Sequence, residues 1–154
     1  MKTPPAIHGS FSIERIYPAA PEKVFAAWAD IEAKANWFIG PDGWTLVHRS
    51  QDFRVGGHEV LRGRFEAGME TSYLATFFEI VPNRRIVYVY DMHLDDQHYS
   101  LSLATVEFEA RGDETRMRFH EQIVFLNGTA AEEGTFAREV GVSRHFDLLA
   151  ASLR

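Results

Sequence analysis

Residues 9–17 read GSFSIERIY, in which Phe11 and Ile13 alternate with Ser12 and Glu14. An alternation of period two puts apolar side chains on one face of a strand and polar ones on the other. The run ends at PAAP, and Pro21 suits the first turn of a helix, where its missing N–H needs no partner. PEKVFAAWAD then sets Val24, Phe25 and Trp28 on one helical face, and IEAKANWF predicts a second short helix that the Pro and two glycines of IGPDG halt. From Trp44 the period returns to two. It predicts strands over roughly 44–51, 57–66, 71–81, 84–93, 97–110 and 113–126, separated by the turn signals VGG, EAG, VPN, LDD and RGD. After LNG, Val142, Phe146, Leu149 and Leu153 recur at spacings of four, three and four, the apolar stripe of a long C-terminal helix.

This order, one strand, two short helices, six strands and one long helix, has a physical consequence. Strands joined by short turns make an antiparallel meander, one face of which can stay wet while the other takes the stripe of the helix. The fold class is therefore α+β: a curved antiparallel sheet of about seven strands wrapped around the C-terminal helix, with a cavity where the sheet's curvature exceeds what the helix fills. At 154 residues one core is enough, so the chain is read as a single domain, with residues 1–9 as a flexible N-terminal segment.

Alternation also assigns faces. Met117, Phe119, Glu121 and Ile123 share one side of their strand, and the apolar set belongs inside. Glu121 is then an inward carboxylate, to be paired, protonated or wet, unless its position reaches the rim and it is simply solvated. On the preceding strand Ser100, Ser102, Ala104, Val106 and Phe108 fall on one face, with His98 on the same side, and the small residues leave room beneath the helix. The opposite face carries Tyr99, Leu101 and Leu103. Such an apolar outer surface points either to a homodimer or to an inverted assignment of the faces, and the alternation leaves both open. Tyr88, Tyr90 and Met92 lie in register on RIVYVYDM, and Trp37 and Phe38 stand near the entrance; for any one of these aromatics, ordinary core packing is the competing explanation. Gly56 and Gly57, before the third strand, permit positive φ or a bulge and are read as the architecture of the bend, with Asp52 and Arg54 forming a local ion pair or turn cap.

The chain resembles the START-like, birch-allergen-like helix-grip superfamily (SRPBCC), and within it the branch of homologues of the heat-shock-protein-90 ATPase activator. The resemblance is carried by IERIYPAAPEKVFAAWAD, NWF at 36–38, DFRVGG at 52–57, EIVPNRRIVY at 79–88, DETRMRF at 113–119 and GV at 141–142 before FDLLAASL, nearly the whole chain. One departure stands out: the family usually has Gly-Trp in the last helix, where this chain has Gly141-Val142. The smaller residue implies more free volume beneath the helix.

Composition narrows the function. A net charge of −6 supplies no positive field for phosphates, which argues against nucleic acid and anionic membranes as partners. No stretch approaches the ~20 apolar residues of a membrane span, and the absence of cysteine removes thiolate metal sites and a cysteine nucleophile, so a cytoplasmic location is expected. No phosphate loop, dinucleotide fingerprint or G-x-S-x-G elbow occurs. HEVLR at 58–62 lacks the second histidine of the zinc helix motif and lies in a strand pattern. Asp91, His93, Asp95, Asp96 and His98 could hold a metal, but a turn between two strands explains them more cheaply, and neither metal nor cofactor is expected. His120 and Glu121 are adjacent in a strand and point to opposite faces, so they cannot act on one substrate atom.

The reading adopted is a binding protein for a small hydrophobic molecule held between sheet and C-terminal helix. Its cavity residues are Trp37, Phe38, Tyr88, Tyr90, Met92, His98, Ser102, Phe119, Glu121 and Phe146. The resemblance leaves two alternatives. One is a cavity enzyme of cyclase or hydrolase type with Glu121 as its candidate catalytic residue, and the other is a co-chaperone-like interaction module.

Overall fold

The computed structural model describes residues 3–154. Strand β1 (Ile7–Tyr17) is followed by helices α1 (Pro21–Ala29) and α2 (Ile31–Lys34). Six strands follow: β2 (Trp44–Gln51), β3 (His58–Phe65), β4 (Glu70–Val81), β5 (Arg85–Leu94), β6 (Gln97–Arg111) and β7 (Glu114–Phe125). Helix α3 (Ala131–Ser152) closes the chain. The strands form one antiparallel sheet in the order β1-β7-β6-β5-β4-β3-β2, with β1 brought round to pair with β7. This is the helix-grip arrangement. β1 begins at Ile7, so residues 7–9 of the segment expected to be flexible pair with residues 123–125.

The inner face follows the alternation. Tyr73, Ala75 and Phe77 of β4, Ile86, Tyr88 and Tyr90 of β5, and Met117, Phe119, Glu121 and Ile123 of β7 are all buried. Phe146 and Leu149 of α3 are buried against this floor, with Val142 and Leu153 partly buried beside them. Helix α1 adds Val24, Phe25 and Trp28, and Trp28 meets Trp37 edge to face with ring centroids 4.8 Å apart. Each large aromatic so buried contributes on the order of 2–3 kcal/mol through lost water contact.

Bulges bend the sheet. The β2·β3 register shifts between Leu46 and His48, the β4·β5 register between Phe77 and Glu79, and the β5·β6 register between Met92 and His93. An extra residue interrupts the ladder and raises the local twist. Val47 and Phe78, each left without a partner, project outward.

The third bulge corrects one expectation. Met92 pairs with Ser100 but His93 pairs with His98, so Tyr99 is the extra residue. Beyond it the alternation changes phase. His98, placed inside by simple alternation, stands on the outer side, where its Nε2 lies 2.6 Å from Asp91 Oδ1 and its ring stacks on His93. Tyr99, expected outside, turns to the inner side and packs against Phe125. Leu101 and Leu103 do face outward, and both are exposed.

The double glycine behaves as its position demands. Gly56 has φ +83°, and its N–H donates to the Phe77 carbonyl at 2.8 Å, while the Gly57 carbonyl accepts from Phe77 N–H at 3.1 Å. The connection from β2 thereby extends the β3·β4 ladder by one residue. A Cβ on Gly57 would lie 2.1 Å from the backbone carbonyl oxygen of Asp52, whereas one on Gly56 would meet nothing. Arg54 Nε and Asp52 Oδ2 form the local ion pair at 2.7 Å. Gly57→Ala is therefore expected to cost about 2 kcal/mol through backbone overlap, and Gly56→Ala about 1 kcal/mol through its left-handed backbone alone. Urea denaturation of the two variants measures that order, and equal costs would contradict it.

Candidate functional site

Between the sheet floor and α3 lies a cavity of about 360 Å³. Its walls come from nearly every element: Trp28 of α1, Leu61 of β3, Tyr73 of β4, Tyr88 and Met92 of β5, Phe119 of β7 and Val142 of α3. Most of this surface is apolar or aromatic, a lining that suits flat or flexible apolar molecules. Trp44 forms another wall because Gly63 beneath it has no side chain: a Cβ there would lie 1.9 Å from the indole.

Of the residues expected to form the cavity, Trp37, Phe38, Tyr88, Tyr90, Met92, Phe119, Glu121 and Phe146 line it. Ser102 does not reach the cavity; it is buried in the floor and donates to Glu121 Oε2 at 2.8 Å. His98 lies outside for the reason given by the bulge. Among the lining residues that were not anticipated are Lys34, Trp44, Tyr73, Arg138, Arg144 and His145. Tyr73 was available from alternation, since it shares a face with Ala75 and Phe77. Arg138 precedes Val142 by four residues and so continues the stripe of α3 as a charge, a signal hidden when only apolar residues are counted.

The buried charge at Glu121 is paired. Arg138 reaches down from α3, and its Nη1 donates to Glu121 Oε2 at 3.1 Å and to Tyr90 Oη at 2.8 Å, while Nη2 donates to Ser100 Oγ at 2.7 Å. Tyr90 Oη in turn donates to the same Oε2 at 2.5 Å. Burial pushes the Glu121 carboxyl above its ordinary range, and Arg138 and the hydroxyls of Tyr90 and Ser102 pull it back. Burial opposes the charge on Arg138, but Tyr90 and Glu121 outweigh it and hold the guanidinium protonated. All three donors to the carboxylate converge on Oε2. Oε1 is buried and has no hydrogen-bond partner.

A second buried pair touches the cavity. Lys34 Nζ lies 2.7 Å from Glu59 Oε1, both side chains almost fully enclosed, and sits 5.0 Å from the centre of the Phe38 ring. Burial lowers the Lys34 pKa, and the Glu59 carboxylate opposes that shift. Breaking such a pair from one side leaves an uncompensated charge, at a cost of about 3–5 kcal/mol.

The segment after α2 closes one side of the cavity, held through successive backbone carbonyls. Arg49 Nη2 donates to the Phe38 carbonyl at 2.8 Å, Arg144 donates to those of Ile39 and Gly40 at 3.1 Å each, and His145 Nε2 lies 2.9 Å from the Ile39 carbonyl oxygen. A carbonyl can only accept, so His145 carries its proton on Nε2. Burial pushes the imidazole down to about 4 from 6.5, against the partial support of that carbonyl.

The outer β5–β6 hairpin does not gather its acidic and imidazole side chains around one point. Asp95, with φ 52°, accepts the Glu70 N–H on its Oδ1 at 2.9 Å, and Asp91 is taken by His98. Among the described residues no group of three or more metal-ligating side chains converges, and no helix is long and apolar enough to cross a membrane.

A curved antiparallel sheet gripping a C-terminal helix over an aromatic cavity defines a START-like, helix-grip protein. The model of the family described as activator of Hsp90 ATPase homolog 1-like protein matches residues 18–154, and the chain belongs to that family. Among solved structures it is similar to an uncharacterized protein of Rhizobium leguminosarum, at 40% identity over 97% of this chain and 96% of that one, with a TM-score of 0.89. A Rhizobium loti protein is 41% identical over 96% of this chain and 99% of its own, with a TM-score of 0.86. The AHSA1 protein of Silicibacter pomeroyi shares the fold at 20% identity, covering 94% of this chain and 96% of its own, with a TM-score of 0.73. No curated protein matches the sequence.

Two predictions follow from the charges. Arg138→Met leaves the Glu121 carboxylate buried without its cation and is expected to cost about 3–5 kcal/mol. The double variant Arg138→Met, Glu121→Gln should recover a large part of that loss, and a urea-denaturation cycle that finds the two effects additive would refute the pairing. For His145 the folded-state pKa lies below the unfolded value, so the neutral ring stabilises the fold above pH 6.5 and that contribution is lost as pH falls toward 4. The expected slope is at most about 1.4 kcal/mol per pH unit in that window. It should be missing from His145→Gln when the two proteins are denatured side by side across the same pH range.

Proposed function

We propose that this protein binds a small hydrophobic molecule in the cavity between its sheet and α3. The observation that carries the reading is a cavity of about 360 Å³ between sheet and α3, lined mainly by aromatic and aliphatic side chains. Empty apolar volume forfeits dispersion contacts that a filled core would make, so an unfilled interior is destabilising in itself. A ligand with apolar surface restores those contacts. Val142 belongs to the same argument, because its small side chain faces the cavity at the position where the resemblance leads one to expect tryptophan.

One observation favours a catalytic second reading. Tyr90, Glu121 and Arg138 converge at the cavity wall, and the carboxyl is pushed up by burial, as a general acid or base requires. The network speaks for binding instead. Tyr90 already uses its proton on Glu121, and burial and that carboxylate keep the phenol protonated. Glu121 has Oε2 occupied by three donors.

The test is to fill the space. Val142→Trp should keep the fold, read by circular dichroism and thermal melting, and should weaken uptake of an apolar probe such as 2-methylnaphthalene by about tenfold or more, measured by quenching of tryptophan fluorescence. Native mass spectrometry of the protein purified under mild conditions should show a bound small molecule in the wild type and less of it in the variant. Unchanged probe affinity in a folded Val142→Trp protein would place binding elsewhere.

A further inference from the structure

We infer that the ligand carries a hydrogen-bond donor, a hydroxyl on an otherwise apolar and planar body, and that this donor is received by Glu121 Oε1. The inference rests on the binding reading above and adds the chemistry of the recognised group. Glu121 lines the cavity and is fully buried, yet only half of its carboxylate is satisfied. Tyr90, Ser102 and Arg138 all give their hydrogens to Oε2, and Oε1 has no partner. A buried acceptor left without a donor is destabilising, and one attached to a charge more so.

The network also fixes the polarity of the unpaired oxygen. Arg138 can only donate, so the hydroxyls of Tyr90 and Ser102, which accept from it at 2.8 and 3.3 Å, must turn their own hydrogens toward Glu121. Every neighbour of the carboxylate within the protein is therefore committed to Oε2 as a donor. With the guanidinium 3.1 Å from Oε2 and three donors on that oxygen, Oε1 is left as the acceptor of the pair. Glu121 is among the residues that line the cavity, and a bound molecule there is the remaining source of a donor. The aromatic walls formed by Tyr73, Tyr88 and Tyr90, which pack ring against ring with centroids 4.8 and 6.1 Å apart, suit a flat body for the rest of the molecule.

The same polarity predicts what Glu121→Gln does. The three donors at Oε2 demand the amide oxygen, so the amide NH₂ must take the place of Oε1 and turn that position from an acceptor into a donor. Three probes of similar size read this out: 2-naphthol, 2-methylnaphthalene and 2-naphthaldehyde, each titrated by tryptophan fluorescence and confirmed by calorimetry. Wild-type protein should bind 2-naphthol about tenfold or more tightly than either of the others, the value of one hydrogen bond to a charged acceptor. In Glu121→Gln the aldehyde should gain on the hydrocarbon and the naphthol should lose its lead.

The wild-type comparison needs no variant, so the inference stands or falls even if Glu121→Gln does not fold. If all three probes bind wild type equally, the cavity binds apolar molecules and the donor assignment is wrong. If the aldehyde leads in wild type, Oε1 carries a proton and the polarity is reversed, which also overturns the assignment. If none binds, the binding reading itself fails.

Discussion

The buried carboxylate of Glu121 sets the terms on which α3 can meet the sheet. An ionised group on the inner face of β7 cannot be left without a counter-charge, and the sheet floor around it offers only hydroxyls. The cation comes from α3, and Arg138 must reach the floor to deliver it. That requirement pins the helix in both rotation and height, because the guanidinium also bonds Ser100 and Tyr90 and so spans β5, β6 and β7 at once. An apolar stripe alone would let a helix slide along a greasy surface. A charge with four partners does not.

The cavity is the complement of that tether. Arg138 reaches from the helix to the floor, and beside it lies a region that small residues leave unfilled. On α3 these are Gly141 and Val142. Farther along the helix Phe146 and Leu149 are buried against the floor, and Phe146 meets Phe119 edge to face at 5.2 Å between ring centroids. One end of α3 is thus a packed core and the middle is a roof. Lys34 and Glu59, together with the carbonyls of 38–40 held by Arg49, Arg144 and His145, keep the remaining wall from collapsing inward.

Much of this was legible in the sequence, for a physical reason. Antiparallel strands with one buried face write their burial directly into alternation, so the strands emerged with ends within about two residues, and Glu121 stood out as an inward charge. The ion pair of Asp52 with Arg54 was legible because it is local. Phase was not. Tyr99 adds one residue opposite a partner strand, and nothing in the order of side chains distinguishes a bulge from a continuing strand, so His98 and Tyr99 were assigned each other's faces. Arg138 and Lys34 were missed for a different reason: their partners lie 17 and 25 positions away in the chain, and only tertiary contact shows that a charge on an apolar face is neutralised there.

That difference bears on how a shared fold comes to serve unlike ligands. The sheet, its bulges and the stripe of α3 define a container, and a family resemblance carries them because packing constrains them over the whole chain. The hydrogen-bond polarity of the floor is set by a handful of side chains whose exchange leaves the container intact. Replacing a carboxylate by an amide, or a valine by a tryptophan, changes the polarity or the volume of the cavity wall and leaves the strand pairing untouched. In this chain the inner face carries a carboxylate whose three donors all converge on one oxygen. The hydrogen bonding of the floor is therefore a property of four side chains, Tyr90, Ser102, Glu121 and Arg138, while the cavity is a property of the fold.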